Sequence, residues 1–471
     1  MRRRPTIPRN CRRSSLVFSK PGEGPISRRN RILSEIWGIC GWNVVEAFFE
    51  NADGSRAELL ANTPTPDTKL VLRVERRWTS RCGNCGALCR SKHGTGRARR
   101  WGDLHWGPHA VEIQATPERT KCGRCGAHAM EMLGWADPYQ RETRRLQQQL
   151  ALQAASMPTL HVAALYGLSW STVHRAEHRA LERWAAQRPE VALRQVGVDE
   201  KYLGRRHKRE YRFHTIVSNL ETGEPIWIGP GRDQAALTAW LTSLRPEQKA
   251  SIELFAADMH RPFWNAIRSD PAFEHTPIAH DAFHVMKRAN EAIGEIRKDA
   301  FFRAGPALRA IGRGTRWLVL RPWEKCSPAQ RAQLARIFSG NKQLARAYQI
   351  GEELREVLRA PDRAAMQAGL DRILRRTQLK RHKHLRRLHD SLLDHREGIL
   401  ALGEHRPAAG RIEALNSNWE TLVRRGRGYR NYAHLLLKLR FMTANPIRTE
   451  EGTKRFLALG LQPVASRRRA S

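Results

Sequence analysis

The chain has 471 residues, 41% of them hydrophobic, with 83 Lys and Arg against 46 Asp and Glu for a formal net charge of +37. The apolar content excludes global disorder, and the length implies roughly two to four domains. The charge points to a polyanionic partner, because clustered Lys and Arg bind nucleic acid by displacing its counterions; against a membrane stand the lack of a basic amphipathic anchor and of any apolar run of about 18 residues.

Residues 1–65 read as a basic, largely disordered arm, rich in Arg, Pro, Ser and Gly without a period. Its start, MRRRPTIPRN, lacks an apolar h-region and is not a secretory signal. The expected location is the bacterial cytoplasm, in association with the nucleoid. Residues 66–138 carry short strands, such as Lys69 to Val74 and Ala110 to Ala115, around two near copies: Cys82-Gly-Asn-Cys85-Gly and Cys122-Gly-Arg-Cys125-Gly. Two residues between cysteines and a glycine after them let the backbone turn tightly enough for both thiolates to reach one tetrahedral ion. Two such knuckles make a closed structural Zn2+ site, which suits a reducing compartment better than disulfides. The 36 residues between Cys85 and Cys122 exceed the usual ribbon spacing, and Cys89 and His128 are spare donors nearby.

Residues 139–190 are helical. Within MPTLHVAALYGLSWSTVHRAEHRALERW two helical patterns meet at Tyr166-Gly167-Leu168, where Gly167 supplies a left-handed turn residue and Ser169 caps the second helix. That is a helix-turn-helix pattern, and Ser171, Thr172, His174 and Arg175 stand where a recognition helix meets base edges in a major groove. An ordinary helical hairpin has the same outline; the charge and the neighbouring cysteine module favour DNA.

Residues 191–290 alternate strands and helices, with strands near Gln195 to Asp199, Tyr211 to Asn219, Pro225 to Gly229, Ser251 to Ala257 and Pro277 to His280. Asp199 and Asp258 each stand where an apolar strand ends, the place at which a parallel α/β sheet presents its chemistry. Successive side chains alternate faces, so Asp199 and Glu200 cannot both face one site, and Asp199 is chosen. Neighbouring strands would make Asp199 and Asp258 converge, and a third carboxylate would let them hold two divalent ions about 4 Å apart for phosphoryl transfer. Asp281 and His284 follow, three apart on one helix face; they orient DNA or buttress the metal site, or else Asp281 is an N-cap beside a packed histidine.

Residues 291–408 are helical throughout, with Trp317 and Trp323 either stacking on an unpaired base or lying in the core. Residues 409–445 supply the third acid, Glu413, early on a helix, followed by a basic turn, Arg424, Arg425, Arg427 and Arg430, suited to gripping a phosphate backbone. Residues 446–471 read as a basic tail.

At these residues the chain resembles the ISL3 family of bacterial insertion-sequence transposases. The likeness runs from about Cys82 to Arg440 and rests on the paired knuckles, the helix-turn-helix, GVDE at 197–200, AADMHRPFWNAI at 256–267, DAFHVMKRAN at 281–290 and IEALNSNWETLVRRGRGYRN at 412–431. It implies an α/β, ribonuclease-H-like catalytic core whose DDE triad maps onto Asp199, Asp258 and Glu413, with an all-helical insertion between the second and third acids. It implies two Mg2+ or Mn2+ ions and double-stranded DNA as partner, both the element's inverted repeats and the target. It further implies a homo-oligomer, cleavage that frees a 3′ hydroxyl, and attack of that hydroxyl on target DNA without a covalent protein intermediate. Asp281 and His284 resemble the D-x-x-H signature of transposases with such insertions. The alternatives are a non-catalytic DNA-binding regulator derived from such an enzyme, and a structure-specific nuclease of the same fold.

Overall fold

In the computed structural model, which describes residues 37, 39, 41–57, 67–77, 79–202, 213–303, 305–378, 382–427 and 429–461, the first strand lies inside the segment expected to be a disordered arm. β1 (Trp42–Glu50) pairs antiparallel with β2 (Lys69–Arg76), burying Trp42, Val44 and Phe49. The arm therefore ends earlier than its composition suggested; residues 1–36 lie outside the described residues.

The chain divides into two compact units, one through Arg183 and again from Thr449, the other Trp184–Arg448. In the first, β1 and β2 join β4 (Arg99–Trp106) and β5 (His109–Ala115) in the order β1-β2-β5-β4, while β3 (Lys92–Thr95), β6 (Glu118–Lys121) and β7 (His128–Met130) form a second sheet. Trp135 joins Trp42 and Trp101 in the core of the first sheet, with ring centroids 6.1 and 5.1 Å away. Three helices follow: α1 (Arg144–Ala154), α2 (Thr159–Leu165) and α3 (Trp170–Ala186).

The second unit is built on a five-stranded sheet in the order β10-β9-β8-β11-β12. β8 (Gln195–Tyr202), β9 (Phe213–Asn219) and β10 (Pro225–Pro230) form an antiparallel meander. After α4 (Gln234–Ser243) and α5 (Pro246–Ala250) comes β11 (Leu254–Ala257), parallel to β8. α6 (Arg261–Arg268) then leads to β12 (Ile278–His280), parallel to β11.

Residues alternate faces along a strand, and both faces are covered. Val196, Val198, Phe255 and Ala257 pack with Leu237 and Trp240 of α4 and Phe263 and Ile267 of α6. Gly197 and Ala256 face the other way, toward Ile412. Gly197 is needed there: a Cβ would lie 2.7 Å from Ser218 Oγ and 3.3 Å from Ile412 Cδ1.

The chain from α7 (Ala282–Arg297) is helical among the described residues: a π turn at Lys298–Phe302, then α8 (Pro306–Gly312), α9 (Arg316–Leu320), α10 (Pro328–Gly340) and α11 (Lys342–Leu358). α12 (Arg363–Gln378), α13 (Lys383–Asp394) and α14 (Arg396–His405) complete this block around one apolar core of Leu344, Ile350, Leu354, Leu370, Leu392 and their neighbours. α15 (Ala409–Gly426) and α16 (Tyr432–Ala444) then return to the sheet, where Leu415, Trp419 and Leu422 pack with Ile216 and Ile228. Trp419 is only 2% exposed, and truncating so buried an indole costs about 3–5 kcal/mol, so α15 is firmly seated. The expected basic tail contains α17 (Glu450–Ala458), which packs on α1 and buries Phe456; residues 462–471 lie outside the described residues.

Candidate active site

Strand register sets the acids. Val198 is level with Ala257 in the parallel pair of β8 and β11, so one residue further on Asp199 is level with Asp258. The alternation that points Gly197 and Ala256 toward α15 carries both carboxylates to that same face. Asp258 stands at the strand end, as expected. Asp199 does not: β8 continues to Tyr202 because it still pairs with β9 there. Glu200 turns to the opposite face, 3.4 Å from Arg232.

Asp199 is held on all sides. Its Oδ1 accepts the Glu200 N–H at 2.7 Å, and its Oδ2 accepts from Asn416 Nδ2 at 2.8 Å and lies 3.1 Å from Lys201 Nζ. Asp258 accepts only the His260 N–H, at 2.9 Å, among the described residues. Burial first, and the Asp199 charge with it, holds the Asp258 carboxyl above its usual range, while His284 pulls the other way. Glu413 is exposed on α15, one turn before Asn416 and hence on the same helix face. No three carboxylates among the described residues have oxygens within 4.8 Å of one another. Two acids of like charge, level and close enough to raise one of them, with a third on the facing helix, fit a divalent cation by the chemistry of the donor set.

Asp281 continues β12 level with Asp258, since His280 pairs with Ala257. It is an N-cap, accepting the Phe283 N–H at 2.9 Å. His284 is more than a packed histidine: its Nδ1 is 3.4 Å from Asp281 Oδ2, and Asp281 first, then Asp258 and Asp199, raise its pKa. Trp317 and Trp323 are not core, being 70% and 41% exposed. At the end of α15, Arg424 pairs with Glu420 at 3.1 Å, Arg427 adopts a left-handed φ of 53°, and Arg430 is exposed; Arg425 is half-buried.

Sequence reasoning missed Asn416 and Lys201, although their spacing from Glu413 and Asp199 signals a shared face. It also missed a buried group behind Asp258. His280, fully buried, has Nδ1 3.3 Å from Ala257 O, and its ring centroid is 4.8 Å from Trp264 and 4.9 Å from His395.

In the first unit the Sγ atoms of Cys82, Cys85, Cys122 and Cys125 lie within 4.8 Å of one another, with Cys82 3.7 Å from Cys125 and Cys85 3.5 Å from Cys122. A sulfur tetrahedron around an ion with bonds of about 2.3 Å has edges of about 3.8 Å, so the quartet fits a metal ion. The near-identical motifs fold identically: each first cysteine accepts from the glycine four residues on, and Gly86 and Gly126 take φ of 71° and 68°. Backbone N–H groups, led by that of Cys125, lower the Cys122 thiol to about 6. The long interval between the pairs is filled by strands β3–β6. Cys89 and His128 stand outside the quartet.

Gly167 has the expected left-handed φ of 60°, and Ser169 Oγ caps α3 by accepting the Thr172 N–H at 3.2 Å. Ser171 and Arg175 are exposed; Thr172 and His174 are half-buried. Trp170, also missed, is 51% exposed and stacks on His174 at 4.8 Å.

Comparison with known proteins matches residues 196–439 to a family model described as a transposase. Residues 131–181 match the helix-turn-helix domain of transposase family ISL3. The chain is 28% identical over 365 residues to the transposase for insertion sequence element IS1001 of Bordetella parapertussis, covering 76% of this chain and 87% of that one. It is also 28% identical over 436 residues to the transposase for insertion sequence element IS1557 of Mycobacterium tuberculosis, covering 86% and 93%.

Proposed function

From the premise that the chain belongs to transposase family ISL3, a DDE transposase that cuts and joins DNA and carries a DNA-binding helix-turn-helix, we propose that Asp199, Asp258 and Glu413 are its catalytic acids. The observation that carries this reading is the level register of Asp199 and Asp258 on the sheet face covered by the helix of Glu413. The strand order, an antiparallel meander followed by two parallel strands added beside its first, supports a ribonuclease-H-like core with residues 291–408 as its insertion.

The three acids would hold two Mg2+ or Mn2+ ions, which when bound activate the attacking oxygen and stabilise the leaving one. Asn416 keeps the Asp199 carboxylate turned toward the site. His284 offers a cation or a proton beside Asp258. In the first step a water cuts the phosphodiester at the element end and frees a 3′ hydroxyl; in the second that hydroxyl attacks target DNA in line. The acids orient both steps, and no residue forms a bond to DNA.

The helix-turn-helix reads the terminal inverted repeats through Ser171, Thr172, His174 and Arg175, steadied by Zn2+ on the four cysteines. Arg424, Arg425, Arg427 and Arg430 grip the backbone near the cut, and Trp317 stacks on an unpaired base. The protein works as a homo-oligomer at the bacterial nucleoid; no helix among the described residues is long and apolar enough to cross a membrane.

Glu413→Gln tests the triad. Magnesium-dependent cleavage of end-containing DNA falls about a hundred-fold or more, the several kcal/mol a metal site supplies, while the gel shift persists. Unchanged cleavage by the variant would sink the assignment. Failure of the wild type to cut any end would favour the regulator.

A further inference from the structure

The first two turns of α7 carry an aromatic ring that folding does not use. Phe283 is 70% exposed although the Asp281 cap fixes its backbone at the edge of the acidic site. Its ring meets that of the adjacent His284 edge to face, with centroids 5.5 Å apart, and His284 in turn feels the charges of Asp258 and Asp199. One helical turn on, Lys287 shares the outer stripe of Phe283. Lys287 is exposed and makes no ion pair among the described residues. Arg288 beside it is likewise exposed, 3.5 Å from Glu291.

A protein-binding patch would continue in apolar side chains. Here the exposed ring is followed along the helix by the exposed cations Lys287 and Arg288, the pattern by which proteins hold an unpaired nucleotide: a base on the aromatic face and a phosphate on the cation. We propose that Phe283 and Lys287 form a platform for one unpaired nucleotide next to the scissile phosphate, Phe283 stacking on its base and Lys287 holding its backbone. Such a platform keeps the phosphate from sliding across the acids, because a base drawn out of the duplex fixes the register of the strand being cut. The inference rests on Asp199, Asp258 and Glu413 being the site of cleavage.

The experiment uses the full chain and end-containing duplexes with 2-aminopurine at each nucleotide flanking the cut. Wild type changes the fluorescence at one flanking position; Phe283→Ala abolishes that change and slows cleavage about ten-fold or more, the loss expected for one stacked base. Phe283→Tyr retains both. A mismatch at the same base pair, which lowers the cost of unpairing, restores much of the Phe283→Ala rate, a rescue that a merely structural ring would not allow. Wild-type fluorescence and rate in Phe283→Ala overturn the proposal, as does a slow variant that the mismatch does not rescue. Asp258→Asn is the control on the underlying reading: if it still cuts, the site lies elsewhere and both readings fall, whereas an inactive Asp258→Asn beside a fully active Phe283→Ala removes the platform alone.

Discussion

Asn416 Nδ2 donates a 2.8 Å hydrogen bond to Asp199 Oδ2 between residues 217 positions apart. The same oxygen faces Lys201 Nζ at 3.1 Å, and Oδ1 is taken by the Glu200 N–H. Asp199 is thus oriented by the protein itself, whereas Asp258 has a single backbone donor among the described residues. Functional carboxylates act best when their own support fixes them before the ligand arrives.

Asn416→Leu removes that support while keeping the volume and leaving Glu413 in place. A hydrogen bond to a charged group is worth about 1.5–3 kcal/mol, so single-turnover cleavage falls roughly ten-fold or more. End binding in a gel shift is unchanged, because the basic surfaces are untouched. A wild-type rate in Asn416→Leu would remove Asn416 from the site.

How much of this was legible in the sequence depends on the range of each signal. Asp258 was legible because a short apolar run stops at it, and strand alternation alone separates Asp199 from Glu200. The end of β8 was misplaced because pairing with β9, a tertiary fact, carries the strand on to Tyr202. β1 was hidden by the arm's composition, although WNVVEAFFE has the apolar content of a strand. The Asn416 bond to Asp199 and the packing of His395 on His280 and Trp264 have no local signature, since α15 and α14 are brought to the sheet from far along the chain. The knuckles were the most legible feature, because the ligand spacing and the glycine turns are both local.

The four-sulfur site gives a selective test. Cys82→Ser or Cys125→Ser loses bound metal by elemental analysis, lowers the melting temperature by several degrees and weakens end binding. Cys89→Ser keeps the metal, since its Sγ is 3.6 Å from Ala87 O and outside the quartet. Loss of metal in Cys89→Ser would redraw the ligand set.

Gly167 turns between α2 and α3 with a φ of 60°, where a residue bearing a Cβ is strained by about 1–2 kcal/mol. Among the described residues nothing beyond the adjoining chain stands within 4 Å of a Cβ built there, so the cost is conformational rather than steric crowding. Gly167→Val therefore destabilises the helix-turn-helix and weakens end binding several-fold, whereas Arg175→Ala weakens binding at unchanged melting temperature. Equal thermal stability of Gly167→Val and wild type would contradict the turn assignment.

Acid should loosen the strand of Asp258 from behind. Burial first, then the neighbouring His395, lowers His280 from 6.5 to about 4, and burial lowers His395 as well. The sign follows: between these values the unfolded chain takes up a proton that the folded one refuses, so stability is full above about 6.5 and is lost as pH falls toward 4. A shift of that size amounts to about 3 kcal/mol at most. His280 Nδ1 lies against the carbonyl of Ala257, the residue before Asp258, and the ring is wedged under α14, where a Cβ on Gly398 would come within 2.4 Å of it. Protonation therefore acts on the seat of the strand that leads to Asp258. Urea midpoints of the wild type fall between pH 7 and 5. His280→Phe, which keeps a ring but cannot titrate, falls less over the same interval even if its neutral-pH stability is lower. Parallel midpoint curves for the two proteins would show that His280 does not carry the acid sensitivity.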